Sequence, residues 1–238
     1  MASQNLDEAR AQVAKACHIL CQQVENFDYL GHISVRLPDN QGLLIKGQHA
    51  SVGNMMKLTA KEIITVDMNG KRTQGDYAVP SEIFMHTQIY LRRPDVQSIV
   101  HSHQKLATLF SMVDKDMRPV YHPIRSRLVF GQDGLPLPKF PSADLIYTRE
   151  LADAVASALG ERDIVLLQNH GVVVVGNSLE EAVLRAVALE EQAEWNLLAS
   201  NFGSYTSIPP ASLQRARVSS PAGPWKYLCS LVEEQVGK

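Results

Sequence analysis

The chain has 238 residues, 23 Lys and Arg against 25 Asp and Glu, and a formal net charge of −2 at pH 7. That balance offers no basic field for nucleic acid, and no run of like charge suits an anionic membrane surface, so a small molecule is the expected ligand. No apolar stretch reaches the roughly 20 residues needed to span a bilayer, and residues 1–25 form a polar amphipathic stretch without the apolar core of a signal peptide. Cys17, Cys21 and Cys229 form an odd, sparse set that reads as reduced packing thiols, which points to a cytoplasmic protein. With no repeat and no low-complexity linker, residues 1–238 are expected to form one domain.

In chain order, Ala9, Val13, Ala16, Ile19, Leu20 and Val24 recur at helical spacing and predict a helix over 6–24. Short strands follow at 33–37, 42–46 and 62–66. Asn69-Gly70 after the third is a hairpin signal that implies an antiparallel sheet. Pro80-Ser81 opens a helix, with Ser81 as its capping hydroxyl and Glu82 in its first turn, and Arg93-Pro94 ends it. Ile99 to His103 reads as a strand and Leu106 to Met112 as a helix. Pro119 to Pro141 reads as a long proline-punctuated excursion with short extended pieces. A helix over 148–159, buried strands over 163–168 and 172–175, and a long helix over 178–200 begun by the capping box Ser178-Leu-Glu-Glu181 complete the pattern. A short helix from Trp225 closes the chain.

The chemistry concentrates at His101-Ser-His103. Two imidazoles one residue apart in a β-branched run point to the same face of a strand, which is a way to present two metal ligands together. His170, in the turn Gln168-Asn169-His170-Gly171 between two apolar strands, is a third candidate, and Glu82 supplies a carboxylate. Three imidazoles and one free carboxylate suit a catalytic divalent-metal site with open positions and a separate acid/base. His86, one helical turn after Glu82, reads as a structural helix histidine, and His18 as surface or core filler. No glycine pattern cradles a nucleotide phosphate, and Ser81 has no base at a readable spacing, so a nucleotide-binding protein and a serine hydrolase are both disfavoured.

Val79-Pro-Ser-Glu82 through His86, Arg93-Pro-Asp-Val96, Val100-His-Ser-His103, Leu166-Leu-Gln-Asn-His170-Gly171 and Gly176-Asn-Ser-Leu-Glu-Glu-Ala182 together resemble the class II aldolase/adducin family over roughly residues 8–205. The resemblance implies an α/β fold, a three-layer αβα domain around a mainly antiparallel central sheet. It implies that His101, His103 and His170 bind a divalent metal (Mn, Co or Zn) and that Glu82 is the catalytic acid/base. It also implies a homotetramer with active sites at subunit interfaces.

Departures from the sugar-phosphate aldolase pattern narrow the expectation. Where fuculose-phosphate-type aldolases hold phosphate, this chain has Gly31-His32, Lys46-Gly-Gln-His49 and Pro80-Ser81, and Pro123 stands where their tyrosine would follow His122. Met117-Arg-Pro-Val-Tyr-His122 and Pro224-Trp-Lys-Tyr227 instead resemble the branch that decarboxylates hydroxylated aromatic or pyridine dicarboxylates. In both branches the metal acts as a Lewis acid on the charge left when a C–C bond breaks. On this reading Arg125 and Arg127 grip a second substrate carboxylate. Ser81, His32, His49 and Tyr227 are further substrate-binding candidates. The alternatives are an aldolase or dehydratase acting on a sugar or sugar phosphate, and a non-catalytic adducin-like interaction domain.

Overall fold

The computed structural model describes residues 2–48, 53–218 and 220–236. Helix α1 (Ala2–Gln23) leads into β1 (His32–Arg36) and β2 (Gly42–Lys46), and β3 (Ile63–Asp67) and β4 (Arg72–Gln74) form the hairpin marked by Asn69-Gly70. Gly70 takes a φ of +82°, which an L side chain rarely adopts. Helix α2 (Ile83–Arg92), strand β5 (Ser98–Ser102), α3 (Lys105–Met112), α4 (Pro123–Phe130) and the short β6 (Lys139–Phe140) follow. Then come α5 (Arg149–Leu159), β7 (Ile164–Leu167), β8 (Gly171–Gly176), α6 (Leu179–Ser200), α7 (Pro210–Arg215) and α8 (Ala222–Val236).

The strands make one eight-stranded sheet in the order β4-β3-β2-β1-β5-β8-β7-β6. Every pairing is antiparallel except β6 with β7. Because strand side chains alternate between faces, each strand feeds two cores. Val100, Ile164, Leu166, Val172 and Val174 join one core with α1, α3, α4, α6 and α8. Ile99, Val165, Leu167, Val173 and Val175 join the other, beneath α2 and α5. This is the expected αβα layering around a mainly antiparallel sheet. Among the described residues, no helix is long and apolar enough to cross a membrane.

Four local expectations are corrected. The Pro119–Pro141 excursion contains α4, whose Pro123 presets the first helical turn; its Arg125-Ser-Arg127 interrupts the apolar periodicity that would have announced a helix. The helix is held by its surroundings: Ser126 Oγ donates to the Tyr121 carbonyl at 2.9 Å, and Val129 and Phe130 are buried. The N-cap of α2 is Glu82, not Ser81, and it makes no side-chain cap bond because its carboxylate is engaged elsewhere. At α6, Ser178 Oγ accepts the Glu181 N–H as expected, but the Glu181 carboxylate accepts the Asn177 N–H at 2.9 Å instead of closing the box on Ser178. The last helix also begins earlier than Trp225, at Ala222.

Candidate metal centre

Alternation along β5 puts His101 on the same face as Ile99, the face covered by α2, and pairs it across the sheet with His32 of β1. His101 Nδ1 lies 2.9 Å from the Val172 carbonyl oxygen. A carbonyl only accepts, so Nδ1 carries a proton and Nε2 is the nitrogen presented to the cluster. The strand ends at Ser102, and His103 stands just beyond it, its ring centroid 4.9 Å from that of His101. His170 arrives from the β7–β8 turn, where Asn169 adopts a φ of +53°, a conformation that asparagine tolerates better than most residues. Gly171 follows because a Cβ there would lie 2.5 Å from the Ser102 carbonyl oxygen, too close for any side chain. The His170 ring consequently sits 5.1 Å from His101 and 5.4 Å from His103, centroid to centroid.

Glu82 closes the group from the N-terminal end of α2. Its Oε1 accepts the Ile146 N–H at 2.8 Å and lies 3.6 Å from His170 Nε2, while Oε2 lies 3.5 Å from His101 Nε2. Burial pushes this carboxyl up, but the facing His101 and His170 outweigh that effect and hold it well below the usual carboxylate range. Burial lowers His103 to about 4, with the neighbouring imidazoles adding to the effect, so it stands neutral at pH 7, the form that ligates metal.

The donor set fits a divalent ion. One ligand atom from each of Glu82, His101, His103 and His170 can be chosen so that all lie within 4.8 Å of one another. His101 Nε2, His103 Nδ1 and both ring nitrogens of His170 are buried without a hydrogen-bond partner among the described residues. Each such orphan costs on the order of 1–3 kcal/mol, a cost that coordination to a shared cation removes. Nitrogen-rich donors of this kind suit Zn, Mn or Co.

Behind this cluster runs a buried hydrogen-bonded chain that the sequence did not announce. His32 Nδ1 and His86 Nε2 share a bond of 2.7 Å, His86 Nδ1 and Ser34 Oγ one of 2.7 Å, and Ser34 Oγ and the Tyr90 hydroxyl one of 2.8 Å. His86 is therefore buried and structural, as expected, and is bonded to His32 and Ser34. Burial lowers His86 to about 3 and His32 well below the ordinary histidine value, while it raises Tyr90 well above the ordinary phenol range. The two rings are neutral and the phenol keeps its proton.

In front of the cluster lies a cavity of about 210 Å³ lined by His32, Lys46, Ser81, Glu82 and His103, with Leu30, Leu145 and Tyr147 as half-exposed apolar walls. Lys46 is the residue that sequence reasoning missed. It ends a fully buried strand and is only 1% exposed; among the described residues its ammonium donates to the Tyr29 carbonyl at 2.8 Å and forms no ion pair. Burial lowers its pKa, offset in part by Cys17 and Asp28. The available signal was a lysine directly after Leu43-Leu44-Ile45, since lysines are almost never fully buried without a partner.

The other candidates separate. Ser81 is exposed and lines the cavity, and His49 lies outside the described residues. Arg127 is committed elsewhere, donating to the carbonyls of Leu213, Gln214 and Ala216 at the end of α7. Arg125 lies 3.4 Å from Glu191 and shares a groove with Tyr227 that does not include the histidines. Within one chain, neither arginine is brought to the metal cluster, because α4 packs on the opposite face of the sheet from α2.

Comparison with known proteins agrees with this geometry. The family profile described as Class II Aldolase and Adducin N-terminal domain matches residues 11–197. The chain is 30% identical over 212 residues to a 3,4-dihydroxyphthalate decarboxylase of Arthrobacter keyseri, covering 86% of this chain and 84% of that one. It is 31% identical over 183 residues to an L-fuculose phosphate aldolase of Escherichia coli, covering 77% and 80%. Its fold matches the solved L-fuculose 1-phosphate aldolase of Glaciozyma antarctica with a TM-score of 0.81 at 23% identity, over 100% of this chain and 93% of that one.

Proposed function

From the premise that the chain belongs to the class II aldolase and adducin family, whose enzymes are lyases, we propose that it is a divalent-metal-dependent decarboxylase of a hydroxylated aromatic or hydroxypyridine dicarboxylate. The observation that carries this reading is that buried Lys46, whose ammonium forms no ion pair among the described residues, lines the same cavity as Glu82 and His103. That cavity offers an anion anchor opposite a metal-ligating cluster, with Leu30, Leu145 and Tyr147 to hold a flat ring between them. The resemblance to curated 3,4-dihydroxyphthalate decarboxylases supports it.

On this reading His101, His103 and His170 hold the ion, which when bound supplies Lewis-acid stabilisation to charge developing on a substrate oxygen. Lys46 pairs with the carboxylate that is retained, taking the role that sequence reading gave to Arg125 and Arg127. Ser81 borders the cavity as a further hydrogen-bonding group. When the ring–carboxylate bond breaks, CO2 leaves and its electron pair stays with the ring until a proton replaces it. Glu82 manages that proton: Oε1 is fixed by the Ile146 N–H, which aims Oε2 into the cluster. Arg125 and Tyr227 line a separate groove and take no part in this site; the homotetramer expected of the family would appear as four copies in sedimentation analysis.

A second reading is aldol cleavage of a sugar phosphate, favoured by the fuculose phosphate aldolases among the relatives, in which case Lys46 and Ser81 would face a phosphate. The test is product analysis with Mn-, Co- and Zn-loaded protein on hydroxylated phthalates, hydroxypyridine dicarboxylates, and fuculose- and ribulose-type phosphates. CO2 without aldehyde is the expected result. Aldehyde without CO2 would replace the decarboxylase reading by the second one.

A further inference from the structure

The chain Tyr90–Ser34–His86–His32 has two self-consistent directions of hydrogen bonding, and the geometry separates them. A ring with a single N–H donates at one nitrogen and accepts at the other, so the two His86 links run in one direction, and Ser34 could accept from both neighbours only by leaving its own proton without either of them. If the protons point away from the cavity, His32 Nδ1 donates to His86, His86 Nδ1 donates to Ser34, and Ser34 donates to Tyr90. The phenol proton is then left to the Gln97 carbonyl, 3.5 Å away. If they point toward the cavity, the phenol donates to Ser34 at 2.8 Å, Ser34 donates to His86 Nδ1 at 2.7 Å, and His86 Nε2–H donates to His32 Nδ1 at 2.7 Å. The second direction gives the phenol, Ser34 and His86 protons bonds of good length and leaves only the His32 Nε2–H, on a ring that lines the cavity, for a ligand.

We infer that Tyr90, Ser34 and His86 fix His32 as the Nε2–H tautomer, so that His32 is a hydrogen-bond donor to an anionic oxygen of the substrate beside the metal cluster. Nδ1 is committed to His86, which leaves Nε2 as the ring nitrogen available to the cavity that His32 lines with Glu82, Lys46 and His103. The His32 ring packs 4.9 Å from that of His101, so a substrate oxygen near the ion is within reach of the same wall. His32 is thus a binding residue, and His86, Ser34 and Tyr90 are positioning residues. A hydrogen-bond donor of fixed polarity selects a carboxylate or phenolate oxygen over a protonated hydroxyl. The inference deepens the decarboxylase reading and rests on it for the identity of the oxygen.

The test reads the tautomer directly. Neutron diffraction from deuterium-exchanged crystals of the Zn-loaded protein should place deuterons on Nε2 of both His32 and His86, with the Ser34 deuteron toward His86; a deuteron on His32 Nδ1 overturns the inference. Ser34→Ala should leave the His32 deuteron divided between the two nitrogens, and Ser34→Thr should restore it to Nε2. In calorimetric titration of the Zn-loaded protein with 3,4-dihydroxybenzoate, His32→Phe should weaken binding about tenfold or more with zinc content unchanged, and His32→Gln, which retains a donor, should recover most of the loss. Equal affinity in His32→Phe and wild type overturns the donor role. If the wild type neither binds this acid nor releases CO2 from phthalates, the decarboxylase reading fails. The donor role is then decided by inorganic phosphate, whose binding should weaken in His32→Phe; unchanged phosphate binding overturns it.

Discussion

At the scale of single residues, Glu82 and His101 share one cluster but are expected to fail differently when altered. His101 has its Nδ1 proton spent on the Val172 carbonyl and a buried Nε2 with nothing to bond, so its use is as a ligand. His101→Ala should lose both metal and activity, measurable as metal per subunit after dialysis. Glu82 holds a backbone N–H with one oxygen and is the only carboxylate of the cluster, so Glu82→Gln should keep the ion while turnover falls about 100-fold or more. Full activity in Glu82→Gln would refute the acid/base role. Lys46 adds a third behaviour. Lys46→Met removes a buried cation that has no ion pair to break among the described residues, so metal content should be unchanged while kcat/KM for a dicarboxylate falls about tenfold to a hundredfold.

At the scale of elements, the site depends on where strands and helices end. Gly171 lets β8 approach β5 at the point where His103 leaves the sheet and His170 enters the cluster. Gly171→Ala forces a Cβ against the Ser102 carbonyl, and the expected cost is about 1–3 kcal/mol of stability together with weakened metal affinity, read from urea unfolding with and without metal. A second anchor lies on the opposite face of the sheet. Buried Glu190 of α6 accepts the Leu106 and Ala107 N–H groups at the start of α3, and Gln104 donates to it as well. Glu190→Ala should cost about 2–3 kcal/mol and loosen the segment that follows His103. These dependences explain what the sequence could and could not reveal. His101-Ser-His103 and Asn169-His170-Gly171 were legible because strand alternation and turn chemistry are local. Lys46 and the His32 chain were not, because their roles arise from the pairing of β1 with β5 and from α2 lying across that pair. Helix α4 was hidden because its stability comes from contacts of Ser126, Val129 and Phe130 with distant segments.

At the scale of the whole molecule, the buried neutral imidazoles make stability depend on pH with a definite sign. Burial is the main cause of the low pKa of His32 and His86, and His86 falls from 6.5 to about 3. The unfolded chain takes up a proton at each of these residues near pH 6.5, while the folded chain does not. Between that value and the folded pKa the unfolded state binds more protons, so stability rises with pH and falls on acidification. The contribution is fully present above about pH 7.5 and is lost at a slope of about 1.4 kcal/mol per pH unit for each buried imidazole as the pH drops below 6.5. Glu82 acts in the same direction but in a lower window, because its pKa is depressed from 4.5 and its contribution is lost only as the pH falls below that value. The midpoint of urea unfolding in chelator-treated protein should therefore hold between pH 8 and 7 and decline steadily from pH 6.5 to 5, before the carboxylates titrate. Metal-loaded protein should decline more steeply over the same range, since protons compete with a metal ion for its ligands. A chelated midpoint that stays flat from pH 8 to 5 would mean that His32 and His86 take up protons in the folded state, and the neutral chain behind the site would have to be abandoned.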